Sequence, residues 1–418
     1  MNSPEAPAEA AGEFDTIRPY NDDEVVAVVA RLVANEELRQ TVARLVIPRL
    51  AAVLPRFAQF CAGRLMHWRA RSIRTVLDFQ LQMGRYLDVV LRNSVDGLTH
   101  SGLEQLDPGQ SYLFISNHRD IVLDSGMLDK LIHGVGFDTL QLAVGDNLFA
   151  NAYAADVMRL NKGFMVERSV TGKKAMLAAL TRTSRYVRHC LESGESVWIA
   201  QRGGRSKDGF DRTDPALLKM LALAYRKEIA HLGELPERIQ IVPTAISYEL
   251  DPSDELKAQE LMQLARDGSY EKNAGDDLVS IAAGVRGYKG RMHYHFGRPL
   301  PVQAAVDDDA AQALASAIDR EIVHGLKLYP VNLRAARLLA AAPQPGRDDW
   351  VTRLNLDALK PEPDGPATVR FLEQIGGCAP ALRPWVLLQY ANVLRNKLEL
   401  ADSAVIVAET DPVHSAAG

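Results

Sequence analysis

Ser116-Asn117-His118-Arg119-Asp120-Ile121-Val122-Leu123-Asp124-Ser125 holds one imidazole and two carboxylates within seven residues. Histidine is the side chain whose ordinary pKa lets it take and return a proton near neutral pH. A carboxylate on its far nitrogen fixes the tautomer and stabilises the imidazolium formed when a proton is taken. The chemistry on offer is general-base catalysis. On a regular helix neither Asp120 nor Asp124 shares the face of His118. The pairing therefore needs His118 in a loop, with one of the two aspartates starting the next helix, and the spacing leaves both open. The plainer reading of such a group is a structural histidine beside a helix N-cap.

Three later blocks add to it. Asn161-Lys162-Gly163-Phe164-Met165-Val166-Glu167-Arg168 puts Arg168 just beyond an apolar run. Val197-Trp198-Ile199-Ala200-Gln201-Arg202-Gly203-Gly204-Arg205-Ser206-Lys207 sets Gly203 and Gly204 among three cations. Glycine permits close backbone approach to a ligand, and the cations suit a phosphate. Ile241-Val242-Pro243-Thr244-Ala245-Ile246-Ser247-Tyr248 reads as a strand with Pro243, a residue unusual in a central position. Taken separately, each block is more often a turn with solvated charge.

These residues need a scaffold, and the periodicity predicts one. Short apolar runs at Tyr112–Ser116, Leu140–Gly145, Gly163–Glu167, Val197–Ala200, Ile239–Ser247 and Met292–Phe296 read as strands. Met176, Leu177, Leu180, Val187, Cys190 and Leu191 mark a helix face ended by Gly194, and Leu314, Ile318, Ile322 and Leu326 mark another. Strands alternating with helices predict an α/β domain with a largely parallel sheet flanked by helices. The tail of that sheet's first strand delivers His118 to the end where open α/β sheets build sites. The expected organisation is a disordered start at 1–20, a basic helical element at 21–95 broken at Pro48 and Pro55, the α/β domain at 96–335, a helical appendage at 336–400 and a disordered tail at 401–418. Gln344-Pro345-Gly346-Arg347 reads as the linker into the appendage.

Bulk properties narrow the function. A formal charge of −5 excludes the strongly basic domain of a nucleic-acid binder. Cys61, Cys190 and Cys378 are too far apart for a disulfide framework or metal-ligand spacing. Met1–Tyr20 has no basic start and apolar run of a secretory signal, and no stretch nears 18 uninterrupted apolar residues. No Gly-x-Ser-x-Gly elbow and no phosphate-binding Gly-x4-Gly-Lys loop occurs. The charge is uneven, however. Leu38–Leu77 contains no Asp or Glu but eight arginines, among Leu45, Ile47, Leu50, Val53, Leu54, Phe57, Phe60 and Trp68. This segment reads both as a helical pair packed on the main domain and as an interfacial element facing an anionic membrane surface.

In their order, these blocks resemble the glycerolipid acyltransferase superfamily, the glycerol-3-phosphate and 1-acylglycerol-3-phosphate acyltransferases, in a bacterial branch with an Asn-His-Arg-Asp-Ile block. The superfamily carries His-x4-Asp, a Phe-Ile-x-Arg type segment, Glu-Gly-Thr-Arg-Ser and a Val-Pro strand. Counterparts lie between Asn117 and Pro243, and the resemblance runs from about Thr99 to Leu300, including Tyr288-Lys289-Gly290-Arg291. It implies an O-acyltransferase of phospholipid synthesis, with His118 as base and Asp124 or Asp120 orienting it. It also implies Arg168, Arg205 and Lys207 toward the acceptor's phosphate, Gly204 along the reacting carbonyl and Pro243 on the acyl side. The donor would be acyl-CoA or an acyl carrier protein thioester, the acceptor a glycerolipid hydroxyl, with no metal or redox cofactor. The implied location is peripheral, on the cytoplasmic face of the inner membrane. Two departures stand out. Leu123 occupies the family's Asp position, with Asp124 one residue later, and Gly203 stands where the third motif has Glu. A lipid-binding relative with weak or no turnover is the competing expectation.

Overall fold

The computed structural model describes residues 12–271, 275–302, 309–341, 350–353, 356 and 365–400. The expected linker at Gln344–Arg347, the tail at 401–418 and the first 11 residues lie outside the described residues. The chain divides into two compact units, one of Met1–Tyr86 with Asp138–Trp198, the other of Leu87–Phe137 with Ile199–Gly418. These limits cut the chain differently from the boundaries drawn on the sequence.

Among the described residues the strands are β1 (Val95–Ser101), β2 (Leu113–Ser116), β3 (Gln141–Gly145), β4 (Gly163–Val166), β5 (Val197–Ala200), β6 (Ile241–Tyr248) and β7 (Gly290–Phe296). In the second unit β2 runs parallel to β6, β6 antiparallel to β7, and β7 parallel to β1. In the first unit β3 pairs parallel with both β4 and β5. The largely parallel α/β class is therefore the observed one, with the β6–β7 pair as its antiparallel exception. Leu113, Phe114, Ile115 and Ser116 are all buried, as expected of a strand covered on both faces.

Pro243 sits inside β6, a strand with a partner on each side. The antiparallel ladder to β7 begins one residue later, at Thr244↔Phe296, so no ladder donor is missing on that side. The Pro243 carbonyl still accepts from Gly297 N–H at 2.9 Å. Strand β1 is absent from the strands read along the sequence, although it begins where the expected helical element ends. Its sequence, Val-Asp-Gly-Leu-Thr-His-Ser, is mostly polar and half-buried, so its apolar signal is weak.

In the first unit, Pro48 and Pro55 open the helices Pro48–Val53 and Pro55–Ala70, where a missing N–H costs nothing. The helices Glu36–Val46 and Pro55–Ala70 meet through Ala43, Ala58 and Ala62. Large apolar side chains stay outside that contact: Val53, Leu54, Phe57, Phe60 and Trp68 are exposed, Val53 by 76%. Arg44, Arg49, Arg56, Arg64, Arg71 and Arg74 are exposed with them. No helix among the described residues is long and apolar enough to cross a membrane. Residues 12–20, expected to be loose, are docked instead: Phe14 and Ile17 are buried, and the Ile17 carbonyl accepts from Met165 N–H at 2.9 Å beside β4.

In the second unit the helices Pro330–Ala340, Pro366–Gly377 and Arg383–Leu400 share one core through Leu339, Phe371, Val386 and Leu387, and this core also takes in Leu250 and Ala258. The C-terminal helices are thus continuous with the chain that follows β6.

Candidate active site

The site starts where β2 ends. The Asn117 side chain is fully buried and clamps β6: its Nδ2 donates to the Ile246 carbonyl at 2.9 Å, and its Oδ1 accepts from Ile246 N–H at 2.7 Å. The amide thus continues the β2–β6 ladder by one side chain and sets the direction in which the backbone leaves the sheet. His118 follows in a loop before the helix Leu123–Gly134.

Nδ1 of His118 lies 2.7 Å from Asp124 Oδ2. The same oxygen accepts from Arg119 N–H and, at 2.9 Å, from Asp120 N–H. Asp124 is fully buried. Burial alone would push its carboxyl up, but the hydrogen bond and charge of His118, with the two backbone donors, outweigh this and hold it below the usual carboxylate range. With Nδ1–H donating to a carboxylate, Nε2 carries the lone pair that can take a proton.

Asp120 does different work. Its Oδ1 accepts from Val122 N–H and Leu123 N–H, each at 2.9 Å, and so closes the turn into the helix. Burial, followed by the charge of Asp124, pushes its carboxyl up. Of the two carboxylates, Asp124 touches the imidazole and Asp120 shapes the loop. Gly284 leaves room for that shape, because a Cβ there would stand 2.0 Å from Asp120 Oδ2.

The glycine-rich block is stitched to this loop by backbone bonds. Gln201 N–H donates to the Ser116 carbonyl at 2.8 Å, and Ser206 N–H to the His118 carbonyl at 2.7 Å. Gly204 adopts the left-handed conformation with φ 79°, whereas Gly203 is not among the left-handed glycines. The three cations differ in their bonding. Lys207 is paired with Glu260, and Arg202 reaches Asp208 Oδ1 at 3.2 Å. Arg205 donates from Nη2 to the Ser280 hydroxyl at 3.2 Å, and its Nη1 is buried with no hydrogen-bond partner. A buried guanidinium nitrogen without an acceptor is costly, and an anion would satisfy it.

Pro243 pairs in register with Ile115, three residues before His118. Arg168 belongs to the other unit, where it follows β4; its backbone N–H donates to Asp146 Oδ2 at 2.9 Å and its side chain is exposed. Sequence reading missed the supports of the His118 loop. Arg119 forms a buried ion pair with Asp211, and Lys257, itself 2% exposed, donates from Nζ to the Arg119 carbonyl at 2.7 Å while pairing with Asp251. Arg119 lies inside the histidine block, but a lysine on the helix Asp254–Asp267 reads as solvated charge. Only the fold buries it.

Asn117 yields a direct prediction. Asn117→Leu strands the Ile246 N–H and carbonyl in the sheet interior and lowers stability by about 2–4 kcal/mol, at the usual cost of two buried unpaired groups. Urea unfolding measures this, and a loss below about 0.5 kcal/mol would show that β6 does not depend on the clamp.

Residues 97–247 match the family described as Acyltransferase. No curated protein matches the chain. Among solved structures, it is similar to the 1-acyl-sn-glycerophosphate (LPA) acyltransferase PlsC from Thermotoga maritima, at 13% identity over 68% of this chain and 94% of that one, with a TM-score of 0.35.

Proposed function

We propose that the protein, whose residues 97–247 match the family described as Acyltransferase, moves a fatty acyl chain from a thioester to a glycerol-phosphate or lysophosphatidate hydroxyl. The observation that carries the acceptor class is Arg205. Its unpartnered guanidinium nitrogen lies on a loop hydrogen-bonded to the backbone of His118. His118 Nε2 takes the acceptor's proton, and the oxygen attacks the thioester carbonyl. The carbon–sulfur bond breaks, and the departing thiolate takes the proton back from the imidazolium. Asp124 holds the imidazole in the required tautomer throughout. The donor is acyl-CoA or an acyl carrier protein thioester, and each step needs only these side chains. Incubating purified protein with labelled acyl thioesters and a panel of acceptors tests the reading. Bound lipid with no product from any of them would turn it into a lipid-binding protein.

The protein works, in this proposal, from the cytoplasmic face of the inner membrane, held peripherally by the acid-free arginine segment. The exposed Phe57, Phe60 and Trp68 among exposed arginines support this, since each basic residue near an anionic surface contributes about 1 kcal/mol. Changing Arg56, Arg64, Arg71 and Arg74 to Gln should weaken binding to anionic vesicles at least a hundredfold, by roughly 3–4 kcal/mol, with an unchanged melting temperature. Undiminished co-sedimentation would leave the segment as a helical pair only.

Gly203 supplies a further test. Gly203 is exposed, so Gly203→Glu introduces the resembled family's carboxylate at the surface of the loop. The added carboxylate stands two residues before Arg205, where it can order that side chain. We expect turnover with glycerol phosphates to rise about tenfold, or about 1.4 kcal/mol in barrier. A stable variant with unchanged or lower turnover would point to an acceptor of another kind.

A further inference from the structure

We propose that the C-terminal helix Arg383–Leu400 is a positioning element of the acceptor loop, acting through Asn392 and Asn396. This rests on the reading of the glycine-rich loop as the place where the acceptor's phosphate is held. The loop that begins at Gly203 ends against this helix. Asn392 Nδ2 donates to the Asp208 carbonyl and Asn396 Nδ2 to the Gly209 carbonyl, each at 2.9 Å. The two asparagines stand four apart on one helix face and grip two successive carbonyls. Asn396 Oδ1 also accepts from Arg212 Nη1 at 3.0 Å. The backbone approach is close as well: Gly209 is left-handed with φ 74°, and a Cβ there would stand 1.9 Å from the Gln389 carbonyl oxygen.

The same helix reaches the His118 loop by a second route. Tyr390 Oη donates to Asp254 Oδ2 at 2.6 Å and accepts from Asp251 N–H at 3.0 Å. Asp251 pairs with Lys257, and Lys257 holds the Arg119 carbonyl. One helix therefore braces both loops of the site. A helix that merely covered a core would place apolar residues at these positions. Instead Asn392 and Asn396 are 4% and 0% exposed, and buried amides are stabilising only where they find partners. What their Nδ2 donors find is the backbone beyond Arg205, although Asn392 Oδ1 is buried without a hydrogen-bond partner.

The test uses the full chain with Asn396→Asp, which keeps the shape but removes the donor, and Asn392→Ala as the milder variant. Two readouts are taken beside the melting temperature: trypsin cleavage at Arg205 and Lys207, followed by mass spectrometry, and steady-state kinetics with glycerol 3-phosphate and lysophosphatidate. The proposal expects cleavage at these two sites to speed up about tenfold, the worth of one hydrogen bond to a backbone carbonyl. It also expects the acceptor KM to rise about tenfold, with kcat and donor KM within about twofold. Unchanged cleavage overturns the positioning role whatever the chemistry. A fall in kcat and melting temperature with the acceptor KM unmoved overturns it in favour of a purely structural helix. Absence of turnover in the wild-type protein sinks the acyl-transfer reading first, and the cleavage rates then still decide whether the helix holds the loop.

Discussion

His118→Ala lowers turnover by about 10²–10⁴-fold, the usual span for losing a general base, while binding of acyl thioester is unchanged. Attack on a thioester by a neutral hydroxyl is slow because the proton must leave as the oxygen bonds. In the proposed mechanism Nε2 of His118 takes it, while Nδ1 is held 2.7 Å from Asp124. In the proposed mechanism the imidazole moves a proton and does not hold the thioester, so thioester affinity should persist without it. The check is single-turnover acyl transfer beside equilibrium binding of the thioester. Unchanged turnover would remove His118 from the mechanism.

Asp124→Asn is expected to cost about as much, 10²–10⁴-fold in turnover, as in other His-carboxylate pairs that lose their tautomer. One Asp124 oxygen accepts from three donors, His118 Nδ1, Arg119 N–H and Asp120 N–H. An amide forfeits the charge that stabilises the imidazolium, and with its NH₂ turned toward these donors it loses the acceptor as well. Asp120→Asn keeps an oxygen for Val122 and Leu123 N–H, so its turnover should stay within about threefold, a loss near 0.6 kcal/mol. A pH profile gives a second, independent readout. The Asp124 carboxyl is lowered in the folded protein, so its contribution to stability is full above the ordinary carboxylate range and is lost as pH falls through the lowered value. Asp124→Asn lacks that acid-side loss. Equal and mild effects of the two variants on turnover would mean that neither aspartate orients His118.

How much of this is legible in the residues depends on distance along the chain. Short apolar runs locate six of the strands, because a buried parallel strand such as Leu113–Ser116 is apolar at nearly every position. β1 escapes because its burial comes from pairing with β7, nearly 200 residues away, rather than from its own composition. His118 and both aspartates stand within one block, yet the choice between them needs the loop's turn, which Asp120 closes and Asp124 fills. Gly203, Gly204 and Arg205 are visible as a phosphate-suited block. That Arg205, unlike Arg202 and Lys207, lacks a carboxylate partner in the described residues and keeps a buried nitrogen unpartnered depends on Ser280, Glu260 and Asp208, whose positions no local pattern encodes. Lys257 and Asn396 read as solvated polar residues, and their burial follows only from long-range packing.

The most direct measurement is acyl transfer by the purified wild-type protein, following free thiol release and the acylated product together with glycerol 3-phosphate and lysophosphatidate as acceptors. Thiol and product should appear in equal amounts, only when an acceptor is present, and both should fall at least about a hundredfold in the His118→Ala protein. Thiol release without an acceptor, or product formation undiminished in His118→Ala, would contradict the proposed mechanism.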